Sequence, residues 1–233
     1  MSDIDQRAAN DAISYVKNNA KKLVAQFAGT QDSQERPVSI FMAGSPGAGK
    51  TEFSVRLLQK ITNYQQYIVR IDPDEIRLAL PQYKVGKAEI MQPAVSVLVE
   101  KIHDYVLSKN KSFLLDGTCA QLTKTRSNIK RSIDKGRVVK VQYVFQPPEV
   151  AWSFTRDREV AEGRNIRRED FISQFIAARD NVGILKAEFG RAIEIDLIER
   201  NITTNSYDIL FNIDKIDKYL KKKYSEDDLQ SLL

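Results

Sequence analysis

Val38-Ser39-Ile40-Phe41-Met42-Ala43 runs straight into Gly44-Ser45-Pro46-Gly47-Ala48-Gly49-Lys50-Thr51, and this stretch decides the fold. The first six residues form a nearly continuous apolar run, which suits a short strand buried on both faces. The next eight satisfy G-x-x-x-x-G-K-[ST] in full, between that strand and a helix, where the mechanism requires the motif. Glycines let the loop turn successive N–H groups toward a β-phosphate, and the following helix adds its positive end. Lys50 then reaches the β and γ oxygens, and Thr51 offers its hydroxyl to Mg²⁺. A Gly-rich turn with an incidental Lys-Thr is the ordinary alternative, and the complete, correctly flanked motif argues against it. The expected ligands are ATP and Mg²⁺, with residues 44–51 holding the phosphates and Thr51 the metal.

Outward from this loop, residues 67–71, Ser112–Leu115 and Val138–Phe145 read as further strands. Each is separated from the next by enough chain for a helix. That alternation predicts an α/β fold with a parallel sheet flanked by helices. Val95, Leu98, Val99, Ile102, Tyr105 and Val106 share one face of a helix between residues 92 and 110. Upstream, Ile13, Val16, Ala20, Leu23, Val24 and Phe27 predict one amphipathic helix over residues 6–27. Downstream, residues 148–162 and 169–188 read as helices flanking Gly163-Arg164-Asn165, with late strands at 192–198 and 208–213. The end, from Lys221 through Asp228, reads as a solvated, frayed helix. The expected organisation is a single P-loop kinase domain over residues 1–233: an N-terminal helix (6–27), a core (38–146), and a lid and C-terminal part (147–233). The lid is expected to be helical and to carry arginines.

Composition excludes several classes. The chain has 233 residues, 42% hydrophobic and 29% charged, enough for a sizeable core. One cysteine, Cys119, allows no internal disulfide, and one histidine, His103, excludes a zinc site built of several imidazoles. No apolar run approaches the roughly 18 residues of a membrane helix. The acidic start, Met1-Ser2-Asp3-Ile4-Asp5, is unlike a secretory signal, so a cytoplasmic protein with no membrane partner is expected. A net charge of +5 is mild for this length and suits anionic small molecules as well as nucleic acid. Residues 124–140 hold seven basic side chains against Asp134 alone, but without interleaved aromatics they read as a solvated helix face. Nucleic acid is therefore not the expected partner. His103 and Cys119 are not expected to take part in chemistry.

The remaining strand ends determine what the loop serves. The second strand closes with Asp72-Pro73-Asp74, so two carboxylates arrive beside the transferring phosphate. Either could accept a proton from an attacking hydroxyl; equally, Asp72 could close a turn and Asp74 cap a helix. The third strand ends Leu114-Leu115-Asp116-Gly117-Thr118, where an acid after buried residues suits a Mg²⁺-linked carboxylate or an Asp-Gly turn. Arg156, Arg158, Arg164, Arg167 and Arg168 crowd thirteen residues. Guanidinium forks there suit the charge on a transferring γ-phosphate, or else pair with Asp157, Glu159 and Glu162 along a helix face.

Taken together, the P-loop, Asp-x-Asp, acid-Gly-Thr and spaced lid arginines resemble the zeta toxin family over roughly residues 10–200. The resemblance implies an enzyme that transfers the γ-phosphate of ATP to the 3'-hydroxyl of the sugar in UDP-N-acetylglucosamine, starving cell-wall synthesis. It also implies a small antitoxin protein as partner. By position it makes Asp74 the catalytic base, with Lys50, Arg158 and Arg164 as catalytic partners. Asp72, Glu100, Asp116 and Thr118 fall on the side of the nucleotide-sugar substrate. Three positions depart from the family pattern: Asp116 stands for a glutamate, Ala120 for an arginine, and no proline follows Arg164. Because these departures lie on the acceptor or lid side, a kinase for another nucleotide sugar, a nucleoside or an antibiotic is the alternative. A non-catalytic ATP-binding module contacting nucleic acid is the reading from a different class.

Overall fold

The computed structural model describes residues 3–61, 64–84, 86–162 and 165–233. The helices are α1 (Asp3–Asn18), α2 (Ala20–Ala28), α3 (Lys50–Gln59), α4 (Tyr64–Tyr67), α5 (Pro73–Leu78), α6 (Ala88–Ser108), α7 (Leu122–Ile133), α8 (Pro148–Glu162), α9 (Arg168–Phe189) and α10 (Glu226–Leu232). The strands are β1 (Val38–Ala43), β2 (Ile68–Ile71), β3 (Ser112–Leu115), β4 (Val138–Phe145), β5 (Glu194–Asn201) and β6 (Ser206–Leu210). They form one sheet in the order β2-β3-β1-β4-β5-β6. All neighbours are parallel except β6, which runs antiparallel to β5.

Alternation along β1 explains why its sequence is apolar throughout. Phe41 and Ala43 join the larger core on one face, while Ile40 and Met42 join a second core on the other. The larger core takes its cover from α1, α2 and α6: Val16, Leu98, Ile102 and Val106 are all fully buried. The second core is covered by α3, through Phe53 and Leu58. A third cluster, Ala151, Phe171, Ile172, Phe175 and Leu229, packs α8, α9 and α10 together beyond the sheet.

Several boundaries differ from expectation, each for a local reason. The helix expected over 6–27 is broken at Asn19, whose side-chain amide donates to the Tyr15 carbonyl (2.9 Å) and competes with continuation of the helix. Helix α6 starts at Ala88 and runs through Pro93; burial of Ile90 and Met91 offsets the backbone bond that the proline cannot make. The late strands are shifted, β5 extending past 198 to Asn201. At the C-terminus Lys221–Lys223 are not helical; α10 begins only after Ser225, which forms a reciprocal cap with Asp228, and Leu229 is buried.

The basic run of 124–140 is largely consumed within the fold. Arg126 pairs with Glu188, Lys130 with Asp134, Arg131 with Asp104, and Lys140 with Glu194. Arg137 is buried and straps strand starts together, donating to Ser39 Oγ (2.7 Å) and to the carbonyls of Val38 and Lys111. None of the described helices is long and apolar enough to cross a membrane.

Candidate active site

In a parallel sheet every strand delivers its carboxyl end to the same edge, and the crevice forms where neighbouring strands depart in opposite directions. Here β1 lies between β3 and β4, so the loop after β1 sits at that point. The loop requires its glycines. Gly44 (φ +138°) passes so close to β4 that a Cβ would lie 2.3 Å from the Val144 carbonyl oxygen. At Gly47 (φ +71°) a Cβ would lie 1.9 Å from the Ala151 carbonyl oxygen on α8. Lys50 Nζ donates to the Ser45 carbonyl across the loop (2.7 Å), which holds the ammonium over the loop amides.

Asp116, just past β3, accepts a hydrogen bond from the Thr51 hydroxyl (3.3 Å). Its backbone N–H donates to the Ile71 carbonyl, fixing the ends of β2 and β3 side by side. Burial raises the Asp116 carboxyl to about 6, against the opposing pull of the Lys50 charge. Burial likewise lowers Lys50 to about 8, against the attraction of Asp116. The two groups therefore carry opposite charges only between those values, within the low-dielectric floor of the crevice.

The two aspartates after β2 have different surroundings. Asp72 is buried and caps α5, its Oδ1 accepting from the Asp74 N–H (2.8 Å), while Oδ2 pairs with Arg70 (2.5 Å). Asp74 is half exposed in the first turn of α5 and reaches the crevice. One of its oxygens accepts from Arg77 (2.6 Å), and the other lies 3.5 Å from the Arg158 guanidinium on α8. Arg77 is itself buried and anchored on Gln92 (3.0 Å), so Asp74 is held from behind.

Lys50, Thr51, Asp74 and Asp116 are thus supplied by strand ends and the first turns beyond them, and Arg158 reaches them from well along α8. Thr118 contributes through its backbone, its carbonyl accepting from the Gly44 N–H (3.2 Å), and its hydroxyl accepts from the Ala120 N–H. Glu100 stands apart. It lies on α6, 3.7 Å from Arg131, and lines a separate cavity of about 380 Å³ with Gln121, Lys124 and Asn128. Arg164 lies outside the described residues. Of the other arginines expected in a lid, Arg156 pairs with Glu159, Arg167 with Asp170, and Arg168 donates to the Gln230 carbonyl on α10. Cys119 is buried with its thiol pushed up to about 11, and burial holds His103 down at about 3.

Two arginines at the site escaped the sequence reading. Arg77 follows Asp74 by one helical turn, a spacing that could have flagged it once a helix starting at Pro73 was accepted. Arg200 lines a cavity of about 210 Å³ with Gly47, Gly49, Lys50, Thr51 and Phe154. Its only signal was its place at the carboxyl end of a parallel strand.

A search of curated proteins found no match. The zeta toxin family matches residues 24–210, from within α2 to the end of β6. The chain belongs to the zeta toxin family. Solved structures share its fold. One is a chain of the PezAT chromosomal toxin–antitoxin system of the human pathogen Streptococcus pneumoniae, 20% identical, with a TM-score of 0.63 over 100% of this chain and 88% of that one. Another is a chain of the AvrRxo1-ORF1:AvrRxo1-ORF2 structure with sulphate ions, 15% identical, with a TM-score of 0.68 over 92% of this chain and 72% of that one. The AvrRxo1-ORF1:-ORF2 structure with ATP matches at 14% identity and a TM-score of 0.59, over 92% and 71%. The zeta toxin match leaves all of α1 and all of α10 outside its span.

Proposed function

We propose that this zeta toxin family member is an ATP-dependent phosphotransferase acting on the 3'-hydroxyl of the sugar of UDP-N-acetylglucosamine. The observation that carries the reading is the convergence of Lys50, Thr51, Asp116, Asp74 and Arg158 on one crevice. In this reading the amides of Gly47–Lys50 cradle the β-phosphate, and Lys50 leaves the Ser45 carbonyl for the β and γ oxygens. Asp74, held by Arg77 through one oxygen, takes the proton of the attacking hydroxyl. Arg158 stabilises charge on the transferring phosphoryl, and Arg164 is assigned the same task by the family pattern.

The donor set fits Mg²⁺: one hydroxyl and one carboxylate in contact, with no cluster of three or more metal-binding side chains among the described residues. Mg²⁺ keeps several waters and is bound through one or two carboxylates plus substrate phosphates. Thr51 and Asp116 would hold it, and it would neutralise the β and γ oxygens during transfer. Asp116 thereby serves the metal side of the crevice.

For the acceptor, the cavity beyond Thr118 offers Glu100, Lys124 and the buried Asn128, at the start of a helix whose first turn holds no acidic residue. Hydrogen-bonding side chains beside a helix N-terminus suit a sugar joined to a diphosphate. A different nucleotide sugar is favoured at one position, since Ala120 offers no guanidinium where the family has one. The nucleic-acid reading loses its support, because most of the basic run is paired or buried. The toxin–antitoxin neighbours support a small antitoxin as partner.

Mass spectrometry of the protein incubated with Mg²⁺-ATP and UDP-N-acetylglucosamine tests the reading. A singly phosphorylated sugar nucleotide is expected, and none with Lys50→Ala. Transfer to another hydroxyl compound from a metabolite extract would change the acceptor; no transfer to any would remove the activity.

A further inference from the structure

The sheet order gives the crevice a direction. Asp116 and Asp74 follow β3 and β2, on one side of β1, so the γ end of a bound triphosphate points that way. The nucleoside must then leave the loop on the opposite side, over β4 and β5. There, among the described residues, the Arg200 guanidinium has neither a hydrogen bond nor a carboxylate at ion-pair distance, and its Nε is buried without a partner. It sits 5.3 Å from the centre of the Phe154 ring, and its Nη1 lies 3.1 Å from where a Cβ on Gly49 would be. Both side chains line the cavity that opens from the loop.

A buried side-chain donor normally has a partner. Arg200 as a whole is only partly buried, but its Nε is shut away from water without one, and the guanidinium, braced on an aromatic ring beside a phosphate loop, is placed to meet a ligand there. We infer that Arg200 and Phe154 together form the platform for the nucleoside end of the phosphoryl donor, the base stacking on the guanidinium–phenyl pair. This rests on the nucleotide reading of the P-loop and adds which residues select the donor's non-reacting end. Stacking reads the face of a base and not its edge, so purine triphosphates should be accepted alike.

Inorganic tripolyphosphate separates the two ends of the donor, because it keeps the phosphates and lacks the nucleoside. Binding of Mg²⁺-ATP, Mg²⁺-GTP and Mg²⁺-tripolyphosphate is measured by calorimetry for the wild-type chain, Arg200→Ala and Phe154→Leu. Both variants should lose ~10-fold or more in affinity for ATP and GTP while binding tripolyphosphate within about twofold of wild type. Equal losses for ATP and tripolyphosphate would make Arg200 a phosphate ligand and overturn the inference, as would unchanged ATP binding in either variant. A wild-type chain that binds neither ATP nor tripolyphosphate would instead bring down the nucleotide reading beneath it. Phe154→Leu keeps an apolar side chain of similar reach, so it carries the test should Arg200→Ala not fold.

Discussion

A carboxylate that removes a proton from a hydroxyl needs one oxygen anchored and the other presented to the acceptor. Asp74 has one oxygen anchored on Arg77 and the other turned into the crevice toward Arg158, whereas Asp72 spends both oxygens on the α5 cap and on Arg70. The two should therefore fail differently. Asp74→Asn keeps the shape and loses basicity, so turnover should fall by ~10²-fold or more with ATP affinity and melting temperature nearly unchanged. Asp72→Ala should instead cost about 1–2 kcal/mol of stability through the lost cap, measured by denaturant unfolding, while Asp72→Asn preserves most of it. The Lys50–Asp116 pair sets the pH range. Asp116 is charged only above about 6 and Lys50 only below about 8. The kcat/KM for ATP should thus rise through the first value and fall through the second; a profile flat from about pH 5 to about pH 9 would contradict the pairing.

Among the elements, α8 carries the most consequence, because it contributes Arg158 to the crevice and presses the Ala151 carbonyl against Gly47. Arg158→Ala should lower kcat by about 10²-fold with little change in KM for ATP, since its contact matters most as charge moves. Arg167→Ala should stay within about threefold in steady-state assays, its guanidinium being exposed and tied to Asp170. Behind α8, Leu229 of α10 completes the cluster that includes Ala151 and Phe171. Leu229→Ala should speed hydrogen exchange in α10 and the facing turns of α8 and α9, leaving β1 and β4 protected. The strands were legible because parallel strands covered on both faces are apolar at nearly every position. The helix break at Asn19 was not, because it turns on the backbone of that single residue, whose side chain bonds back to Tyr15. Arg200 was missed for a related reason: an end placed at 198 left it outside the strand that aims it.

At the scale of the whole molecule, one sheet order arranges both sides of the crevice in which the proposed transfer takes place. β2 brings Asp74 and β3 Asp116, β1 the loop, and β4 and β5 lead to α8 with Arg158 and to Arg200. The P-loop and the acids after β2 and β3 could be read from residues alone, since the motif fixes the phosphates and strand ends must face them. The order of strands could not, because it depends on crossovers that leave no local mark. Nor could the neutralisation of the basic face, which required knowing that Glu188, Asp104 and Glu194 come from other elements. The central claim is that Asp74 drives transfer of the γ-phosphate to an acceptor hydroxyl. ATP labelled in its γ-phosphate, incubated with Mg²⁺, UDP-N-acetylglucosamine and either the wild-type chain or Asp74→Asn, tests it most directly. The account predicts label in the sugar nucleotide with the wild-type chain and ~10²-fold less with the variant. Label released only as inorganic phosphate, or transferred equally well by the variant, would contradict it.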